Sequence, residues 1–215
     1  MASVNIVHVS SSRGYHHGNL RATLLDAGVE LAREGGPDAV VLREASRRAG
    51  VSHNAAYRHF SDRDALLRAV CGRCMGALAR LMERRIGEVD GPREAAQATR
   101  ARLRATGSAY LEFAQAEPGW FRTAFAVPPG LAYLDEGEGV GDSGLGPLEL
   151  LGAQLDALTA AGLLPAERRP QAEIAAWAAV HGLAMLFLDG PLRELPQAER
   201  DAAGARLLET IERGL

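Results

Sequence analysis

Hydrogen-bonding side chains are concentrated in the segment 52–60, which closely follows a glycine at position 50. They belong to Ser52, His53, Asn54, Tyr57, Arg58 and His59. Hydroxyl, amide, imidazole and guanidinium groups can donate to phosphate oxygens or to the edges of bases. Glycine adopts a left-handed backbone at little cost, so Gly50 can form the tight turn between two short helices. The segment therefore predicts a helix-turn-helix, whose second helix enters the major groove of DNA.

A pair of cysteines supports the main alternative, a redox or metal-binding protein. Cys71 and Cys74 form a CxxC motif, which occurs in thiol oxidoreductases and in zinc sites. Here the motif lies inside a predicted helix, and it has neither a second CxxC nor a histidine pair at ligand spacing. Cysteines at positions i and i+3 of a helix are more often packed thiols. A helical enzyme, or a redox or metal protein that uses this pair, is the second interpretation.

Motifs of the common enzyme classes are missing from the sequence. It has no Ser-His-Asp order, no HExxH and no P-loop, and no glycine pattern follows a predicted strand and opens a helix, as dinucleotide binding requires. The acidic residues of the glycine-rich stretch 128–147 lack the spacing of a calcium-binding loop. We therefore predict no catalytic residue, no metal and no cofactor. The long, largely apolar C-terminal half also disfavours a purely architectural or protein-binding module.

Charge is distributed unevenly along the chain. The 215 residues carry a net charge of −3, and all 24 basic residues are arginine. Segment 13–70 holds 9 arginines and 7 acidic residues, a net charge of +2, whereas the rest holds 15 arginines and 20 acidic residues, a net charge of −5. A mildly basic N-terminal part on an acidic body suits a chain that binds nucleic acid through that part.

Apolar side chains recur at helical spacing along most of the chain, and no segment alternates with the period of a β-strand. The sequence therefore predicts an all-α fold. Helices are expected at about 19–34, 41–49, 52–59, 62–86, 93–117, 148–161, 170–188 and 197–213, and a short helix or turn is expected at 120–125. Ser61 followed by Asp64 is a capping-box signal for the long fourth helix, which we interpret as a connector between two domains. The stretch 128–147 is predicted to be a mobile loop.

Several motifs resemble the TetR family of bacterial regulators. They are YHHGNLR at 15–21, GVSH at 50–53, YRHF at 57–60 and DRDALL at 62–67. The first is similar to the YHHGxLR signature of one branch of that family, and WAAVHGL at 177–183 is similar to the WHG-type sensor domain of the same branch. Residues 1–14 have no periodic apolar pattern and are predicted to form a flexible arm. The resemblance implies a helix-turn-helix DNA-binding domain at 15–62 and a helical effector-binding and dimerisation domain at 63–215.

The resemblance also assigns DNA contacts along the N-terminal domain. The residues concerned are Arg43, Ser52, His53, Asn54, Tyr57, Arg58, His59 and Arg63. Residues 52–54 open the recognition helix and are expected to face base edges or nearby phosphates. Tyr57 and Arg63 match the phosphate-contacting tyrosine and lysine of the family. Val41 stands where the family usually has a threonine, so we expect one helix cap and one phosphate contact to be lost.

A ligand pocket needs apolar walls and a few placed polar groups. In the C-terminal half, aromatic side chains, methionines and one histidine meet this requirement. The predicted pocket residues are Met82, Tyr110, Phe113, Trp120, Phe121, Phe125, Trp177, His181 and Met185.

The predicted helix 170–188 is apolar around most of its circumference, which is typical of a helix that contacts both its own core and a partner. Gly182 and the neighbouring alanines permit close approach of another helix. Together with the last helix, it is expected to complete a four-helix interface in a homodimer. The predicted interface residues are Val180, Leu183, Phe187, Leu207, Leu208 and Ile211.

We therefore expect a cytoplasmic repressor that a small molecule releases from a palindromic operator. Its partners would be double-stranded DNA, a small-molecule effector and a second copy of the chain, and not a membrane. A palindromic operator requires two recognition helices about 34–36 Å apart. An effector that favours another tilt of the helix at 62–86 would change this distance and lower the affinity for DNA.

Overall fold

The computed structural model describes residues 20–92, 95–126 and 139–214, and these residues form nine α-helices and no β-strand. The helices are α1 (Leu20–Gly35), α2 (Leu42–Arg48), α3 (His53–Tyr57), α4 (Arg63–Gly87), α5 (Ala96–Ala116), α6 (Pro118–Ala124), α7 (Pro147–Ala160), α8 (Ala172–Leu188) and α9 (Gln197–Gly214). The all-α prediction is confirmed. The predicted arm at 1–14 lies outside the described residues. None of the described helices is both long enough and apolar enough to span a membrane.

Helices α1, α2 and α3 form an N-terminal module with its own apolar core. Leu24 of α1, Ala56 of α3 and Phe60 are buried in one cluster with side chains of α2 and α4. A buried cluster of this kind holds the helices in a fixed arrangement, because α2 and α3, with 7 and 5 residues, are too short to be stable alone.

The turn between α2 and α3 has the geometry that its sequence predicts. At Gly50 the φ angle is 67°, in the left-handed region that glycine adopts most easily. Helix α3 then begins because the hydroxyl oxygen of Ser52 accepts a hydrogen bond from the backbone N–H of Ala55 at 3.2 Å.

Helix α4, with 25 residues, connects the N-terminal module to the helical body. The carboxylate of Asp62 caps it by accepting a hydrogen bond from the backbone N–H of Ala65 at 2.7 Å. The predicted cap at Ser61 is therefore wrong by one residue, because its hydroxyl donates to the Asp62 carboxylate instead. Leu66 packs in the core of the N-terminal module and Leu78 in the core of the body, so both cores share this helix. The predicted domain boundary at 62–63 falls where the shared helix begins.

Helix α5 lies at the centre of the body and packs against α4, α7, α8 and α9. Tyr110 and Phe113 of α5 are buried with side chains of α4, α6 and α8. At Gly107 a Cβ atom would collide with the side chain of Leu208, so the glycine allows α9 to approach α5 closely. A smaller cluster around Leu155 completes the core near α7.

The segment 139–146, which leads into α7, is fixed by a carboxylate of α4. Glu83 accepts hydrogen bonds from the backbone N–H groups of Asp142 and Ser143 at 2.8 and 2.9 Å, and from the Ser143 hydroxyl. Gly141 passes so close to Glu83 that a Cβ atom there would collide with the carboxylate. The prediction of a mobile loop at 128–147 is therefore wrong for 139–147, and its first part, up to residue 138, lies outside the described residues.

Candidate nucleic-acid interface and internal cavity

The solvent side of α3 carries most of the side chains predicted to contact DNA. Ser52, His53, Asn54, Tyr57, Arg58 and His59 are all exposed. Tyr57 is 48% exposed, although a tyrosine ring gains free energy from burial. Ala56 and Phe60 fix the opposite side of the segment in the core. The module therefore holds α3 rigidly and presents a polar surface that can enter a groove.

Two contacts order the first turn of α3. The Ser52 hydroxyl uses one lone pair as the helix cap, and its proton is still able to donate to a phosphate oxygen. The rings of His53 and Tyr57 meet edge to face, with centroids 4.7 Å apart. This contact restricts both side chains before any ligand binds, which reduces the entropy lost on binding.

Arg63 differs from the other predicted DNA contacts, because part of its guanidinium is used inside the module. Its Nε donates to the carbonyl oxygen of Val40 at 3.0 Å and its Nη2 to that of Pro37 at 2.7 Å. Arg63 thus ties the start of α4 to the backbone that precedes α2. Arg43 is exposed on α2, which begins at Val41 without a side-chain cap.

Helix α6 joins the body to α1 through polar and aromatic contacts. Trp120 Nε1 donates to the carbonyl oxygen of Val29 at 2.9 Å. The guanidinium of Arg33 lies over the Trp120 ring, 4.4 Å from its centroid, and pairs with Glu117 at an Nε–Oε2 distance of 2.8 Å. These contacts attach the N-terminal module to the helix that leads to the interior of the body.

The close approach of α6 to α1 depends on Gly119. A Cβ atom at this position would overlap the carbonyl oxygens of Ala32 and Arg33, which belong to the backbone of α1 and cannot rotate away. Phe125, directly after α6, lines the cavity described below. A single short segment therefore contacts both the N-terminal module and the cavity.

A cavity of about 340 Å³ lies inside the helical body. Four of the predicted pocket residues, Met82, Tyr110, Phe125 and Trp177, line it. Other wall residues come from α5 and from the start of α7, among them Leu103, Arg104, Thr106, Gly107, Leu148 and Glu149. Its volume is at the lower end of the range for small-molecule sites.

The other predicted pocket residues do not line this cavity. Phe113 and Phe121 are buried in the body core. Trp120 contacts α1, and His181 is hydrogen-bonded to a wall residue instead of lining the cavity itself. Met185 is 37% exposed on α8. These residues have the same apolar or aromatic character as the true wall, so their composition alone does not separate them from it.

Tyr110 connects two other aromatic side chains in a hydrogen-bonded chain. Trp177 Nε1 donates to the Tyr110 hydroxyl oxygen at 3.1 Å, and that oxygen lies 2.7 Å from Nδ1 of His181. Burial raises the pKa of the Tyr110 hydroxyl and lowers the pKa of His181. Both shifts favour the neutral form, so these two side chains are uncharged at neutral pH.

Apart from Tyr110, the α5 residues of the wall were not predicted from the sequence, although a pattern points to them. Leu103, Thr106, Gly107 and Tyr110 recur at i, i+3, i+4 and i+7, which is one side of a helix. Small residues between two large ones leave space beside that side. The start of α7 gives no such signal, because only the folded chain brings it to the cavity.

The predicted dimer residues lie largely within the body of one chain. Val180, Phe187 and Leu208 are buried, and Leu183, Leu207 and Ile211 are half-buried and pack against the same core. Phe187, for example, is only 2% exposed. The exposed side of α8 instead carries Ile174, Ala178, Gly182, Met185 and Leu186. An interface through α8 would use these side chains and not the buried ones.

The two cysteines are packed thiols in the core of the N-terminal module. Cys71 and Cys74 are buried, and the Sγ–H of Cys71 donates to the carbonyl oxygen of Thr123 at 2.9 Å. Burial raises the pKa of Cys71 to about 12 and also raises that of Cys74. Since the thiolate is the reactive and metal-binding form, this environment disfavours the redox and metal interpretations.

Two protein-family profiles match the chain. The profile described as bacterial regulatory proteins of the tetR family matches residues 24–70, and the one described as the tetracyclin repressor-like C-terminal domain matches residues 103–211. The second match alone covers half of the chain. No curated protein shows significant sequence similarity to the chain.

Solved structures agree with these matches. A Rhodococcus sp. RHA1 protein of unknown function is 30% identical, with a TM-score of 0.74, and the alignment covers 94% of this chain and 98% of that one. FadR, a fatty acid degradation regulator from Bacillus halodurans, is 15% identical, with coverage of 94% and 98% and a TM-score of 0.64. A TetR variant from Acinetobacter baumannii AYE in complex with minocycline is 20% identical, with coverage of 90% and 94% and a TM-score of 0.60. The last two share the fold.

Together, the helix-turn-helix module, the helical body and the two family matches place the chain in one family of DNA-binding regulators. The protein belongs to the TetR family.

Proposed function

We propose that the protein is a repressor that binds a palindromic operator as a homodimer and that a small-molecule effector releases from DNA. The main support is α3, which is fixed by a buried core on one side and carries exposed hydrogen-bonding side chains on the other. His53 and Asn54 are suited to base edges, whereas Ser52, Tyr57 and Arg58 are suited to phosphates.

Three further residues are proposed as phosphate contacts around α3. Arg43 and His59 are exposed and lie on either side of the helix in sequence. Arg63 uses two N–H groups on the backbone, so the remaining part of its fork would reach a phosphate while also positioning α2. Arginine, histidine and backbone-fixed donors are typical positioning contacts that carry no sequence information.

A homodimer through the exposed side of α8 is proposed because that side is apolar. Ile174 and Leu186 are 51% and 42% exposed, which is unusual for large aliphatic side chains on one helix side. Between them lie Ala178 and Gly182, and apart from the helix's own backbone no atom of the described residues lies within 4 Å of the Cβ position at Gly182. Small residues of this kind let a second helix pack closely, and an isologous interface would bury the same surface on both copies.

Replacing Gly182 by arginine is expected to separate the dimer into monomers. The monomer fold accepts the side chain, because the Cβ position is open, but a charge in an apolar interface costs several kcal/mol when unpaired. Sedimentation velocity, with both proteins at the same concentration, distinguishes the dimer from the monomer. Ala160→Arg, at an exposed position on α7, is the matched control and should sediment as the wild type does. A Gly182→Arg chain that still sediments as a dimer would place the interface elsewhere.

Release by an effector is proposed to act through α4 and α6. Both helices reach the cavity, since Met75 and Met82 of α4 and Phe125 after α6 line it. Both also contact the N-terminal module, α4 through its shared core and α6 through Trp120 and Gly119. A ligand that prefers one arrangement of these helices would therefore shift the position of α3. The minocycline complex of a related fold fits this proposal.

The proposal is tested by selecting bound fragments from the source genome and measuring the affinity for the selected operator with and without candidate effectors. We expect a sequence-specific operator and a lower affinity in the presence of an effector. A compound that binds the cavity yet leaves operator affinity unchanged would contradict release, and binding that random-sequence DNA competes equally would contradict specific recognition.

A further inference from the structure

The walls of the cavity contain few polar side chains, and each of them already has a partner within the chain. Among the residues that the structure describes, the polar wall residues are Arg104, Thr106, Tyr110, Glu149 and Trp177. The rest of the described wall is aliphatic, aromatic, methionine, glycine or proline. What these five side chains bind therefore decides which ligand the cavity can accept.

The two charged wall residues are both engaged. Arg104 forms an ion pair with Glu212 of α9, which also pairs with Arg100 at 3.4 Å. Glu149 accepts a hydrogen bond from the backbone N–H of Gly146 at 2.8 Å, at the N-terminus of α7. An anionic ligand would have to compete with Glu212 for Arg104, and a cationic ligand would have to compete with a helix terminus for Glu149.

The neutral polar wall residues are engaged as well. The Thr106 hydroxyl donates to the carbonyl oxygen of Arg102, one turn earlier in α5, at 2.9 Å. Trp177 donates to the Tyr110 hydroxyl, which in turn pairs with His181. Tyr110 keeps capacity for one more hydrogen bond, because its oxygen has two lone pairs and one proton for its two known partners, and the Thr106 hydroxyl can still accept one.

From this pairing and the mainly apolar wall we infer that the effector is an uncharged, largely apolar molecule with few hydrogen-bonding groups. This inference relies on the proposed function only in calling the ligand an effector. An ion that enters the cavity loses hydration, and in the described wall it must compete for Arg104 or Glu149, which already have partners, so its transfer from water is unfavourable. An apolar molecule has no comparable hydration to lose, and burying its surface against the wall lowers its free energy. Phe125, Trp177 and Tyr110 favour a planar ring.

Three probes with one ring system test the inference: 1-naphthylmethanol, 1-naphthoate and 1-naphthylmethylammonium. They differ mainly in charge, so differences in affinity report the charge preference of the cavity. Each is titrated by calorimetry into the full chain without DNA. We expect the alcohol to bind at one site per chain and both ions to bind more weakly by about tenfold or more.

A pair of variants assigns the binding to this cavity. Leu148, a half-buried wall residue, can be enlarged by Leu148→Trp, which should reduce binding of the alcohol by about tenfold or more because the indole occupies the space of the ligand. Leu192→Trp makes the same change at a half-buried leucine outside the wall and should leave the affinity unchanged. Circular dichroism confirms that both variants fold, and the comparison of charges in the wild type does not depend on them.

Several results would overturn the inference. They are no binding of the alcohol, binding of either ion as tight as that of the alcohol, or equal loss of binding in the two variants. None of these titrations contains DNA, so a negative result does not contradict the proposal that the protein binds an operator. Conversely, an alcohol that binds in the cavity but does not change operator affinity contradicts release alone.

Discussion

Replacing Asn54 by alanine is expected to weaken binding to the selected operator by roughly 5- to 150-fold for each half-site, because a side-chain amide paired with a base contributes about 1–3 kcal/mol of discrimination. Asn54 is exposed near the N-terminal end of α3, where recognition helices contact base edges. The fold should be unaffected, since the side chain is not part of the buried core. Fluorescence anisotropy with operator and random-sequence duplexes measures both affinities.

Comparing the operator with random-sequence DNA distinguishes loss of base recognition by Asn54→Ala from a general loss of DNA binding. Affinity for random-sequence DNA should stay the same, because it depends on phosphate contacts. Gln97→Ala removes an exposed amide from α5 in the body and serves as the control, with both affinities expected to match the wild type. If Asn54→Ala binds the operator as tightly as the wild type does, Asn54 does not contact a base.

Replacing Gly119 by alanine is expected to reduce both stability and operator affinity. The new Cβ atom would overlap backbone carbonyl oxygens of α1, so α1 and α6 must move apart. Overpacking of this kind costs about 1–3 kcal/mol, and each kcal/mol lowers Tm by about 2–4 °C in a chain of this size. Because α1 belongs to the module that carries α3, the displacement should also change the position of the recognition helix.

Gly87→Ala is the control for this variant, because Gly87 lies at the end of α4 with no atom within 4 Å of its Cβ position. It should keep the Tm and the operator affinity of the wild type or raise the Tm slightly. Scanning calorimetry measures the Tm of each variant. Fluorescence anisotropy on the same samples measures operator affinity, at a temperature where both variants are folded. A Gly119→Ala chain with unchanged Tm and unchanged operator affinity would mean that α6 does not hold the N-terminal module in place.

Local signals in the sequence predicted most of the fold. Apolar periodicity located the helices. Gly50 located the turn, and Ser52 located the start of α3. Such signals act over one or two helical turns and therefore appear in the sequence directly. The cap of α4 was misassigned because Ser61 and Asp62 are both good capping residues, and only the backbone geometry selects Asp62.

Features that depend on distant parts of the chain were not predictable in this way. Glu83 fixes a segment 60 residues away, and nothing near that segment indicates an ordered structure. The side of α8 that faces the core was also ambiguous, because the helix is apolar nearly all round and periodicity carries no direction. Phe187, predicted as an interface residue, is buried within one chain, and Met185, predicted as a pocket residue, is 37% exposed.

The most direct test of the account asks whether two copies of α3 enter the major groove of one duplex. Methylation of guanine N7, an atom in the major groove, interferes with any protein that reads the groove at that base. On the selected operator we predict two patches of interference related by a palindrome, about 34–36 Å or one helical turn apart. A single patch, or full binding to DNA methylated throughout the site, would contradict recognition by paired α3 helices.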